Sequence, residues 1–173
     1  MIPIETVFIA MVFLFGIIGT LRGWAKELLV IFSVILARFV EYVMWTYVPV
    51  LSAAFQGLDP DLWLYVRLGI FTIIVAFGYA TTVISATLHA KARKEKLQDT
   101  LLGFFLGLIN GYFIAGTLWG FLSDIGYNVW GMVPPTTDLS QMIVAYLPLA
   151  WLSGPQLFIA VAAAFIFVIV VFV

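Results

Sequence analysis

The sequence predicts an all-α membrane protein, a polytopic bundle of four to five transmembrane helices. Three observations carry that prediction. Of 173 residues, 64% are hydrophobic and only 10% charged, with a mean hydropathy of +1.16; a soluble domain is about half apolar and about a quarter charged. The apolar residues fall in continuous runs, and roughly 20 helical residues cross a bilayer core of about 30 Å. These runs lack the apolar–polar alternation of barrel strands, and lipid admits only helices and closed barrels because each satisfies its own backbone hydrogen bonds.

The first span is expected over Ile4–Leu21, the second over Leu28–Tyr47, the third over Leu62–Leu88 and the fourth over Leu101–Leu122. A last apolar stretch, Gln156–Val173, reads as a fifth. The chain thus divides into a four-helix domain (1–122), an extracytoplasmic connection (123–155) and the fifth segment (156–173). Arg22 to Glu27 is a tight connection. Pro49 to Asp61 reads as a short polar loop with turn chemistry at Gln56-Gly57 and Asp59-Pro60. In the long connection, Asp138 precedes Met142, Ile143, Tyr146 and Leu147 at helical spacing, which predicts a short helix lying at the interface.

Basic residues set the orientation, because short cytoplasmic loops are enriched in Lys and Arg. Arg22, Lys26, Lys91, Arg93, Lys94 and Lys96 all fall in two connections on one side, whereas the opposite connections carry Asp59, Asp61, Asp124 and Asp138. The N-terminus is therefore expected outside and the basic loops inside. Met1 to Glu5 holds no Lys or Arg, so the first apolar run reads as a retained helix rather than a cleaved signal peptide. The run Val168 to Val173 has no basic anchor, which leaves two options: the chain continues, or that end packs against another protein.

Several function classes are excluded or disfavoured. The absence of cysteine removes disulfides, thiolate metal sites and thiol nucleophiles. A net charge of −1 argues against nucleic acid as partner. His89, the single histidine, falls in the basic loop and reads as an interfacial residue. No catalytic residues, metal ligands or resident cofactor are predicted. Bound lipid is expected, and contact with pigment or quinone tails is an option for the Phe-rich surface. Trp24, Trp45, Trp63, Trp130 and Trp151 lie near span ends, as interfacial aromatic belts do.

Charges inside the spans are the main exception to this blandness. Arg38 falls near mid-membrane and Glu41 one turn further out; Arg67, entering from the acidic side, reaches a similar depth. A charge at the centre of a membrane helix costs about 2.5–3.5 kcal/mol on insertion scales. Glu41 is therefore expected to pair with Arg38, Arg67 or both inside the bundle, as a static clamp or as part of a pathway.

Two further patterns carry a resemblance. The first hairpin reads Gly19-Thr20-Leu21-Arg22-Gly23-Trp24-Ala25-Lys26-Glu27, or G-x-x-R-G-x-x-x-E. The fourth span opens on Asp99, Gly103, Gly107 and Gly111, or D-x-x-x-G-x-x-x-G-x-x-x-G. In this order on a four-span frame, from about Glu5 to Leu122, the chain resembles the colicin V production protein (CvpA-like) family of small bacterial inner-membrane proteins. The family usually carries basic residues where this chain has Thr100 and Asn110, and Glu5 stands near the family's early acidic residue. The resemblance implies a multi-pass inner-membrane location and a role in colicin export or envelope homeostasis, without implying a reaction.

Read physically, Gly103, Gly107, Gly111 and Ala115 form a small-residue stripe that lets helix backbones approach closely. The stripe suits packing inside the bundle or a homo-oligomer seam. Gly23 suits a tight turn, and Glu27 suits the positive end of the second helix. Arg22 and Asp99 are candidates for a shared cytoplasmic-face site for a partner or a lipid headgroup. The leading expectation is a non-enzymatic accessory protein, a scaffold or partner-binding factor that meets a protein partner or a second copy through the Gly103 stripe or the C-terminal segment. The alternatives are a small subunit of a large respiratory or photosynthetic complex, and a transporter or channel subunit built on Arg38, Glu41 and Arg67.

Overall fold

The computed structural model describes residues 3–55, 57–80 and 96–172. The end of the third expected span, His89 and the basic residues Lys91, Arg93 and Lys94 lie outside the described residues. In chain order the helices are α1 (Ile4–Arg22), α2 (Trp24–Tyr47), α3 (Pro49–Phe55), α4 (Pro60–Ala80), α5 (Lys96–Asp124), α6 (Asp138–Ala145), α7 (Pro148–Trp151) and α8 (Pro155–Phe172), with no strand among the described residues. Proline opens α3, α4, α7 and α8; its missing N–H and fixed φ suit a first helical position.

Four of these helices, α1, α2, α4 and Leu97–Asp124 of α5, are long and apolar enough to cross a membrane. The chain is an all-α polytopic membrane protein. The expected fifth segment is α8, 18 residues long, and it runs antiparallel to α2. Phe158 stacks edge-on against Phe39 and Phe165 against Phe32, each pair 5.3 Å apart between ring centres. Its other side, including Ile159, Ile166 and Val170, is exposed.

Three boundaries differ from the sequence expectation. The connection expected over Arg22–Glu27 shrinks to Gly23 alone, whose φ of 83° lets α1 stop and α2 start within one residue. The loop expected over Pro49–Asp61 contains α3. The fourth span is longer than Leu101–Leu122, beginning at Lys96 and ending at Asp124.

The bundle is organised around α5, which packs along α1 and against α2, while α2 also carries α4 and α8. Val30, Val34 and Ala37 of α2 meet Leu64, Phe71 and Val75 of α4 and Ile114 and Phe121 of α5 in the main core. The glycine stripe faces α1. A Cβ on Gly103 or Gly107 would strike the carbonyl oxygens of Gly19 and Phe15, and one on Gly111 would lie 2.7 Å from Val12 Cα. Ala115, the last member of the stripe, is half-buried.

Further along α5, a second pair of glycines receives the connection that follows it. A Cβ on Gly116 would lie 2.6 Å from Pro148 Cδ, and one on Gly120 would lie 3.0 Å from Leu149 Cβ. The short helix expected after Asp138 is α6, capped by Thr137, whose hydroxyl accepts from Ser140 N–H at 3.1 Å and donates to Glu5 at 2.8 Å. Tyr112 completes the attachment, donating to the Tyr146 carbonyl at 2.5 Å and accepting from Trp151 Nε1 at 2.8 Å. The 123–155 segment is thus folded back onto α1 and α5, and buries Val129, Leu147 and Leu152.

Candidate functional site

Among the described residues, the buried charges Glu27, Arg38, Glu41 and Arg67 fall in two clusters toward opposite ends of the bundle. The first grows from the α1–α2 turn. Gly23 ends α1 by donating its N–H to the Gly19 carbonyl at 2.9 Å, and α2 starts with no side-chain cap of its own. The cap comes from α5: Asp99 accepts from the Trp24 N–H at 3.1 Å. A carboxylate here meets both an orphan donor and the positive end of the helix dipole. The turn leaves no room for a side chain at 23, because a Cβ would lie 2.8 Å from Asp99 Oδ1.

This arrangement adds partners to the expected positions of Glu27 and Asp99. Glu27 lies in the first turn of α2, as expected, and is fully buried. Its Oε1 lies 2.7 Å from Arg22 Nη1, and its Oε2 accepts from Asn110 Nδ2 at 2.7 Å. The same amide nitrogen donates to the Glu27 carbonyl at 2.9 Å. The Arg22 guanidinium sits over the Tyr79 ring, 4.2 Å from its centre. Arg22 and Asp99 therefore act on different groups, one neutralising Glu27 and the other capping α2. Asn110 stands where the family usually has a basic residue, and it meets the acidic member of the hairpin motif with an amide instead of a charge.

The second cluster holds the expected Arg38, Glu41 and Arg67 and adds Asp124. Glu41 engages both arginines: its Oε2 is paired with Arg38 Nη1 and its Oε1 with Arg67 Nε at 2.5 Å. Arg67 Nη1 reaches Asp124 Oδ2 at 2.8 Å. The Glu41 side chain is 4% exposed and the Asp124 side chain 50%. Beneath them the Phe121 ring is fully buried, with the Arg67 guanidinium 4.1 Å from its centre and that of Arg38 at 5.7 Å. Cation–π contact of this kind strengthens when desolvated.

Two cavities open beside this cluster and share Asp124 in their walls. One of about 580 Å³ lies between Ser52, Trp63 and Ile125, and one of about 270 Å³ lies between Arg38, Arg67, Ser123 and the α7 turn. Among the described residues no group of three or more His, Cys, Asp or Glu side chains is placed to hold a metal ion.

Sequence reasoning missed Asn110, Asp124 and the Glu5–Thr137 contact. Asn110 is a polar residue inside an apolar run, which is a usable signal. Asp124 falls in the expected loop because the apolar run stops at Leu122, and nothing local tells that the helix continues to it.

No curated protein and no solved structure gives a significant match to the chain. The family model described as Colicin V production protein matches residues 4–145. That stretch extends past the expected boundary at 122 to include Asp124, the loop after it and α6. With most of its length matched and both family motifs joined in one buried hairpin contact, the chain belongs to the colicin V production protein family.

Proposed function

We propose that this chain is a non-enzymatic accessory protein of the bacterial inner membrane, serving an envelope or export process as a scaffold that binds a protein partner. One observation carries the reading: the buried charges described are paired at short range inside the bundle, leaving a largely apolar outer surface. Arg22 with Glu27, and Glu41 with Arg38 and Arg67, are ion pairs of the kind that hold helices in register. What remains for other molecules is the lipid-facing side, including the outward face of α8. A homo-oligomer seam through Gly103 would require α1 to be displaced, so the C-terminal segment is the better-placed contact.

The test is crosslinking in native membranes, followed by mild-detergent extraction and native gels. Co-migration with another envelope protein, together with no ion flux into vesicles holding the purified chain, is the expected result. Flux above protein-free vesicles that Glu41→Gln abolishes without unfolding the protein would replace the scaffold with a conducting subunit.

A further inference from the structure

The charges of the second cluster balance only with the help of a residue at its edge. Arg38, Glu41 and Arg67 are each more than nine-tenths buried, and by themselves they sum to one positive charge. The missing negative charge comes from Asp124, whose side chain is half exposed and pairs with Arg67. Glu41 has both oxygens committed to the two arginines. Arg38 Nε, buried, has no hydrogen-bond partner among the described residues, a costly condition for a cationic donor away from water. Arg38 and Arg67 both line the cavity of about 270 Å³, together with Leu147, Ala150 of α7 and Asp124.

We infer that this cavity is a binding site for a phosphate-type oxyanion, which displaces the Asp124 carboxylate from Arg67 and sits beside the Arg38 guanidinium. Guanidinium groups bind such anions through several donors at once. A monoanion entering here brings the buried triad to neutrality and frees Asp124 to turn into water. Asp124 is then an internal competitor, occupying the site when it is empty. The anion can come from a phospholipid headgroup or from free phosphate, since both present the same oxygens.

Two arms separate those sources. Inorganic phosphate is titrated calorimetrically into the purified full-length protein, with chloride at matched ionic strength as reference. In parallel, native mass spectrometry reads lipid retained by the protein from nanodiscs of phosphatidylglycerol or of phosphatidylcholine. Asp124→Asn removes the competitor and should tighten binding about tenfold, a coupling of ordinary size between two occupants of one site. Ala150→Phe fills the cavity without touching a charge and should abolish binding. Saturable phosphate binding with this pattern assigns the free anion. Retention of phosphatidylglycerol alone, with the same pattern, assigns the headgroup. The inference is overturned if neither arm shows saturable binding in the wild type and in Asp124→Asn, or if binding is indifferent to both substitutions.

Discussion

Glu41 and Asn110 each hold a buried charge in check, and their removal should be felt very differently from that of Asp124. Glu41→Gln leaves Arg38 and Arg67 buried without their shared anion. Breaking one side of a buried pair costs about 3–5 kcal/mol, so the variant should lose most of its monodisperse peak on size exclusion in mild detergent. Asp124→Asn touches a half-exposed partner, and exposed pairs contribute about 0–1 kcal/mol; its thermal midpoint should stay within a few degrees of wild type. At the other end, Asn110→Leu removes the amide donor to both the carboxylate and the carbonyl of Glu27. The bond to the carboxylate contributes roughly 1.5–3 kcal/mol and the one to the neutral carbonyl about 0.5–1.5 kcal/mol. A loss of stability of that order, read as a depressed thermal midpoint by tryptophan fluorescence, is expected; an unchanged midpoint would remove Asn110 from the cluster's support.

At the level of elements, the α1–α5 contact is a backbone-to-backbone fit, and its glycines differ sharply from those elsewhere. Gly107→Leu must push α1 away from α5, and overpacking of this kind costs typically about 1–3 kcal/mol. The expected outcome is a lower thermal midpoint with an unaltered crosslinking ladder, because the stripe is covered by α1 of the same chain. A ladder that changes while the midpoint holds would instead place the stripe between copies. Gly69 of α4 supplies the control, since a Cβ there meets nothing within 4 Å. Gly69→Ala should be neutral or stabilising by up to about 1 kcal/mol, the helix propensity difference.

For the whole molecule, the two ends of the bundle differ in charge, and the positive-inside bias predicts which faces the cytoplasm. The chain has no native cysteine, so single cysteines report accessibility cleanly. Cysteines at the exposed positions Gly57 and Asp138 should react with an impermeant maleimide in intact cells, and one at Gln98 only after permeabilisation; the reverse pattern would invert the topology. The membrane-spanning class, most span positions and the isolated charges at Arg38, Glu41 and Arg67 were legible in the sequence, because length, hydropathy and the cost of a charge in lipid are local properties. So was the family, since its two motifs are short and contiguous. The roles within those motifs were not. Asp99 caps a helix that starts far earlier in the chain, Glu27 is buried against Asn110 of α5, and the helix that fills the glycine stripe, expected to pack inside the bundle, is α1. Each of these depends on which helix faces which, and hydrophobic periodicity cannot set that choice among helices that are apolar all round. Sequence by itself determined that this chain dissolves in a bilayer as helices carrying a few charges that must be compensated. Only the tertiary structure decided the partners, because close packing and short-range electrostatics act between residues that the chain keeps far apart.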